Sequence, residues 1–187
     1  MKSLALFCGS SLGVKDEYAL AVTRLVSAMH AKGYGVVYGG GKVGLMGVVA
    51  ESAKTIGCNV VGVMPQFLID KELACSDLSE LIIVDDMHQR KKTMIERSSG
   101  FIALPGGTGT AEEFFEAWTW GQLGLHSHPC VLYNVEGCYD SLIRYLEDLV
   151  ANGFMNRMFL DSLIISDSPE VICTKIDSFK GVSSKWS

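Results

Sequence analysis

Little in this chain points towards nucleic acid or membrane. Basic residues do not outnumber acidic ones: 16 Lys and Arg stand against 21 Asp and Glu, a formal net charge of −5. Non-specific nucleic-acid binding needs a basic footprint, so that class is set aside. No apolar run is long enough to span a bilayer. The six cysteines (Cys8, Cys58, Cys75, Cys130, Cys138 and Cys173) include no C-x-x-C pair, so neither a zinc knuckle nor a thioredoxin motif is supported. They read as small buried thiols of a reduced, cytoplasmic compartment. Nucleophile elbow and P-loop are both missing; Lys42 is followed by Val43, where a Walker turn has Ser or Thr. The apolar stretch Leu4–Cys8 is too short for a signal segment, and Phe7 is too large for its cleavage site, so a buried first strand is expected instead. There is no repeat, linker or low-complexity segment.

What remains is the composition of a globular protein, with 48% hydrophobic and 20% charged residues. Its 187 residues suffice for one α/β domain with a sizeable core. Short apolar runs at 4–8, 36–38, 59–64, 81–84, 101–104, 130–133 and 163–165 read as strands. Segments of helical spacing run from 16 to 32, 45 to 56, 87 to 99, 111 to 123 and 139 to 150, and another starts at Pro169. Asp85 and Asp86 are placed to cap the helix from Met87. The stretch 66–80 is irregular, with a short helical piece. This alternation predicts a single doubly wound, Rossmann-like α/β domain over 1–180. Its parallel sheet has about seven strands with helices on both faces, and a polar tail follows at 181–187.

The stretch Phe101–Leu123, FIALPGGTGTAEEFFEAWTWGQL, organises the chain. An apolar run ends at Pro105, which brings no N–H for a sheet ladder. Gly106, Gly107 and Gly109 follow, and then a helix opens. Strand, glycine turn and helix start together make an anion site, because the first helical N–H groups are free and point at negative charge. Glu113 lies on this helix start. Thr110-x-x-Glu113 matches a capping box, which is one reading of the carboxylate. The other is acid–base or ribose chemistry beside a bound phosphate.

Two further glycine-rich turns follow the first and second strands. In an open parallel sheet all three turns lie at the carboxyl ends of strands, where ligands bind. Gly39-x-Gly41-x-x-Gly44 matches the dinucleotide fingerprint, but it follows strand two, and that strand ends in Tyr38 rather than an acid that could hold a ribose. Arg90-Lys91-Lys92 places cations in the first turns of a helix, against its dipole. Lys92 reads as a solvated charge with Asp85 and Asp86 as neighbours. Arg90 reads as a bidentate anion holder at the carboxyl edge of the sheet. His126-Ser127-His128 has no nearby Cys or Asp and reads as incidental rather than metal-binding. His88 lacks a nameable orienting partner, and Trp118 and Trp120 read mainly as core. The residues alone thus argue for a phosphate-binding α/β enzyme with Arg90 and Glu113 as its best polar pair.

The chain also resembles a known family. Pro105-Gly106-Gly107-x-Gly109-Thr110-x-x-Glu113 is similar to the PGGxGTxxE signature of the Lonely Guy family. Met87-His88-Gln89-Arg90-Lys91 resembles its MHxRK segment, and Thr119–His126 its TWxQLGxH continuation. Cys8–Ser11 and Tyr38–Gly47 match its first two turns. Members have often carried the label "lysine decarboxylase", yet no lysine here has the context of a pyridoxal phosphate Schiff base.

The resemblance implies a cytokinin riboside 5′-monophosphate phosphoribohydrolase, which splits the N-glycosidic bond of an N6-modified AMP into free base and ribose 5-phosphate. It implies Arg90 and Glu113 as the catalytic pair. Gly106, Gly107, Thr108, Gly109 and Thr110 would cradle the phosphate, and Lys91 and Thr119 would help hold the nucleotide. Glu72 occupies the spacing of a further substrate-contacting acid. Gly9 and Ser10 of the first turn, and Gly40 and Gly41 of the second, complete the implied binding set. Thr108 stands where many members have Tyr, which bears on base preference. Neither metal nor cofactor is expected, and a homodimer with sites near the subunit boundary is. Proteins of similar fold and glycine signature also carry molybdenum cofactor; that role needs the cradle but not the Arg90–Glu113 pair.

Overall fold

The computed structural model describes residues 2–71 and 73–182. Its seven strands are β1 (Ser3–Phe7), β2 (Gly35–Tyr38), β3 (Val60–Pro65), β4 (Glu80–Val84), β5 (Phe101–Ala103), β6 (Cys130–Tyr133) and β7 (Ile164–Ser166). They form one sheet in the order β4-β3-β2-β1-β5-β6-β7, parallel throughout. The chain winds outward from β1 to β4, then returns to the other side of β1 at β5. The switch point of this doubly wound sheet therefore lies between β1 and β5, where a crevice opens beyond the strand ends.

Strand β1 shows why its sequence is apolar at successive positions. Leu4 and Leu6 pack into one core cluster, and Ala5 and Phe7 into another. A strand with both faces covered has no solvent side to be polar on. The first layer holds α1 (Glu17–Ala31), α2 (Gly44–Thr55) and α8 (Pro169–Asp177); the second holds α4 (Met87–Glu96), α5 (Thr108–Gln122), α6 (Asp140–Ala151) and α7 (Arg157–Asp161). Among its described residues, the irregular stretch contributes the short helix α3 (Gln66–Ile69) and a bridge from Ala74 to Gly41. Helix α7 and a short 3-10 turn at Val135–Gly137 have no counterpart in the expected elements.

Local chemistry explains several ends. Asp86 caps α4 by accepting from the Gln89 N–H at 2.8 Å. Gly33, at φ 77°, closes α1, and Pro169 occupies the first position of α8. The start of α5 differs from the expectation. The helix begins at Thr108 with Gly107 as its cap residue, three residues before the expected Ala111. Thr110 therefore lies inside the first turn and cannot act as the cap, and Glu113 turns to Arg90 instead. The capping-box reading fails because a tertiary partner wins the carboxylate. The polar tail from 183 on, like Glu72, lies outside the described residues.

Candidate active site

The three glycine turns meet at the switch point. Gly9 donates its N–H to the Pro105 carbonyl at 3.1 Å, and Leu45 donates to the Gly9 carbonyl at 3.1 Å. Side chains are barred from this junction. A Cβ on Gly106 would sit 2.1 Å from Thr110 Oγ1 and 2.9 Å from the Gly9 nitrogen; one on Gly44, at φ 58°, would sit 2.2 Å from Ser10 carbonyl carbon. Gly44 is thus required by the approach of two turns, which explains a fingerprint-like spacing without a dinucleotide. Gly107 and Gly109 differ. A Cβ on either would meet nothing within 4 Å. What their glycines keep free is cavity space above the first N–H groups of α5.

That cavity, of about 290 Å³, is lined by Leu6, Cys8, Gly9, Ser10, Gly39, Met46, Arg90, Gly107, Thr108, Gly109, Thr110 and Glu113. Arg90 comes from α4 and Glu113 from the second turn of α5. Arg90 Nη1 donates to Glu113 Oε1 at 3.1 Å. Nε donates to the Val63 carbonyl at 3.0 Å and Nη2 to the Gly39 carbonyl at 3.3 Å. The guanidinium is therefore aimed by two strand-end carbonyls, Nη1 also contacts Met87 Sδ at 3.9 Å, and among the described residues Nη2 has one N–H left for a ligand. Both side chains are about nine-tenths buried, at 10% and 11% exposure. Burial pushes the Glu113 carboxyl above its ordinary range, and the charge of Arg90 opposes this only in part. Burial, with help from the Glu113 charge, likewise pushes the Cys8 thiol up to about 12, so it stays protonated at neutral pH.

Of the expected site residues, Arg90, Glu113, Gly9, Ser10, Gly107, Thr108, Gly109 and Thr110 line this cavity, and Gly106 borders it at the junction. Four others are placed elsewhere. Gly40 and Gly41 lie behind the wall, where they hold the segment after Glu72: Gly40 accepts from the Cys75 N–H at 2.9 Å, and Gly41 bridges to Ala74. Thr119 is exposed on α5, roughly 16 Å along the axis from Thr108. Lys91 is buried against α5, paired with Glu112 and with Glu116 at 3.1 Å. Cys8, Gly39 and Met46 line the cavity without having been singled out for it, although all three stand within the matched first and second turns. Lys92 pairs with Glu96 at 3.8 Å, not with Asp85 or Asp86.

The histidine loop is occupied structurally. His126 Nε2 donates to the Ala117 carbonyl at 2.8 Å, and Nδ1 accepts from the His128 N–H at 3.2 Å. Among the described residues no group of three His, Cys, Asp or Glu could hold a metal. No helix among them is long and apolar enough to cross a membrane.

Fold and site together define a doubly wound α/β protein with an anion-type turn and an Arg–Glu pair at its switch point. Residues 46–176 match a family model described as "Possible lysine decarboxylase". Among curated proteins, the Arabidopsis thaliana cytokinin riboside 5′-monophosphate phosphoribohydrolase LOG1 is 39% identical over 178 residues, covering 95% of this chain and 84% of that one. The LOG5 enzyme of the same plant is 38% identical over 182 residues, covering 97% and 80%. Among solved structures, the molybdenum cofactor carrier protein of Chlamydomonas reinhardtii superposes with a TM-score of 0.71 at 15% identity, covering 95% and 97%; this likeness concerns the fold alone. The chain belongs to the family of the cytokinin riboside 5′-monophosphate phosphoribohydrolases. The decarboxylase description finds no footing in the cavity. Among the described residues that line it there is no lysine, so a cofactor aldehyde has no amine to meet.

Proposed function

We propose that this protein hydrolyses the N-glycosidic bond of N6-modified adenosine 5′-monophosphates, releasing free base and ribose 5-phosphate. One observation carries the reading: a buried Arg90–Glu113 pair faces the same cavity as the open N-terminus of α5. The phosphate would sit on the N–H groups from Gly107 to Thr110, where partial positive charge and backbone donors converge. Ribose then falls beside Glu113. Breaking the bond to the base builds positive charge on the sugar, as in glycoside hydrolysis. The ionised Glu113 carboxylate stabilises that charge and polarises a ribose hydroxyl or the attacking water. Arg90 holds the carboxylate in place and stabilises charge as the base departs. Preorganised charge of this kind lowers barriers by several kcal/mol, at about 3–4 kcal/mol per well-placed donor.

The decisive assay incubates the protein with AMP and with N6-isopentenyl-AMP and follows free base by chromatography. Release of base and ribose 5-phosphate from either supports the reading; intact nucleotide in both refutes it. A cofactor carrier is the second reading, favoured by the fold likeness to the carrier protein. A carrier has no use for a buried, mutually oriented Arg–Glu pair, and that pair tips the balance to the hydrolase.

A homodimer with its interface beside the site belongs to the same proposal. Phe114 and Trp118 fill the core, but Phe115 and Trp120 of the same helix are only partly covered, and Leu123 and Leu125, just past the end of α5, are exposed, as is Met87 at the start of α4. A second copy packed over α5 would cover them. The six free thiols fit a reducing, cytoplasmic setting.

A further inference from the structure

Next to the Arg90–Glu113 pair lies a second charged cluster. Lys91 follows Arg90 on α4, and its side chain is 8% exposed. Its ammonium contacts Glu112, and Glu116 Oε2 at 3.1 Å. Glu116 Oε2 is shut off from solvent and has no well-aligned hydrogen bond among the described residues, so Lys91 is the charge it faces. An ammonium is rarely buried unless paired, and here the pairing joins the two helices that supply the catalytic pair. Burial alone would weaken the hold of Lys91 on its proton, but the two glutamates more than reverse this, so Lys91 stays charged.

We propose that Lys91 is a positioning residue: with Glu112 and Glu116 it clamps α4 to α5 and sets both the Arg90–Glu113 geometry and the field at Glu113. The inference rests on the proposed hydrolase reading. It departs from a role for Lys91 in touching the nucleotide, because Lys91 does not line the cavity and two carboxylates occupy its ammonium. Among the described residues, the groups that face Glu113 are Arg90 and Lys91 from α4, Glu112 and Glu116 from α5, and Cys8 just past β1; the flanking Gly39 and Met46 carry no charge. Lys91 favours the ionised carboxylate, whereas Glu112 and Glu116 oppose it.

The test uses the two ends of one ion pair. The active carboxylate is ionised, so the acid limb of kcat/KM follows Glu113. Lys91→Met removes a cation and should move that limb to higher pH; Glu116→Gln removes an anion and should move it lower, each by about 0.3 unit or more. A purely structural role would not send the two in opposite directions. Lys91→Met should also lower kcat about tenfold while KM changes less than about twofold, the signature of lost positioning. Should Lys91→Met not fold, Lys91→Gln, which also removes the cation, takes its place beside Glu116→Gln. A carbon-13 titration of the Glu113 carboxyl, assigned by its loss in Glu113→Gln, reads the same shift without turnover. It therefore separates failure of the clamp from failure of the hydrolase reading. Limbs or titrations that stay put, or that move the same way in both variants, overturn the proposal. So does a tenfold rise in KM in Lys91→Met with an unmoved limb, which would put Lys91 on the substrate.

Discussion

Gly39→Ala offers the most specific test of how the site is held. Gly39 lies just past β2 with an ordinary negative φ, so alanine meets no backbone strain there. Its new Cβ, however, would fall 1.9 Å from Arg90 Nη2 and 3.1 Å from the guanidinium carbon. Carbon and nitrogen without a bond need about 3.5 Å. The guanidinium must therefore retreat by more than 1 Å, or its backbone anchor must yield. The contact to Glu113 Oε1 is 3.1 Å, and a shift of that size breaks it. A misplacement of about 1 Å at a reacting centre costs roughly 100-fold in rate. Overpacking costs stability as well, about 1–3 kcal/mol, or roughly 2–12 °C in Tm for a chain of this size. Turnover of N6-isopentenyl-AMP and a thermal melt measure the two effects. The expected variant is folded, slightly less stable and about 100-fold slower. A folded Gly39→Ala enzyme within twofold of normal kcat would refute the claim that Arg90 works from this position.

Glu113→Gln should keep the fold and abolish base release; near-normal turnover would remove the carboxylate from the mechanism. Because burial raises the Glu113 pKa, its contribution to stability is fullest below the ordinary carboxylate range and is lost as pH rises through the folded value. The Tm of Glu113→Gln relative to the native chain should accordingly climb between about pH 4 and pH 8, and a fall over that window would mean the opposite shift. Gly109→Ala should stabilise α5 by about 0.5–1 kcal/mol, since its Cβ meets nothing, while raising KM for the monophosphate by crowding the anion site; unchanged KM would move the phosphate elsewhere. The nucleoside lacking its 5′-phosphate should react far more slowly than the monophosphate, because remote binding energy supports the chemical step, and equal kcat/KM values would contradict this. Light scattering at micromolar concentration should report about twice the 20.3 kDa chain mass; a fully active species of single-chain mass would exclude the dimer.

The sequence by itself determined the architecture. Apolar runs without alternation, separated by glycine turns and amphipathic segments, leave few arrangements other than a parallel sheet covered on both faces, and all seven strands lie within a residue or two of the expected runs. The glycine turn after Pro105 was equally legible, since glycine beside a helix start has a short list of physical uses. The structure alone decided what each charged group does. Arg90 and Lys91 are adjacent in the chain, yet the 3.6-residue turn sends one into the cavity and the other between α4 and α5. Thr110-x-x-Glu113 satisfies the local rule for a cap, but an arginine 23 residues away takes the carboxylate. Gly44 satisfies a cofactor fingerprint, but the Ser10 backbone fills the space its side chain would need. Helical and strand periods are local properties carried by neighbouring residues, and so they can be read along the chain. Which partner a carboxylate or a glycine meets depends on segments that only the wound sheet brings together.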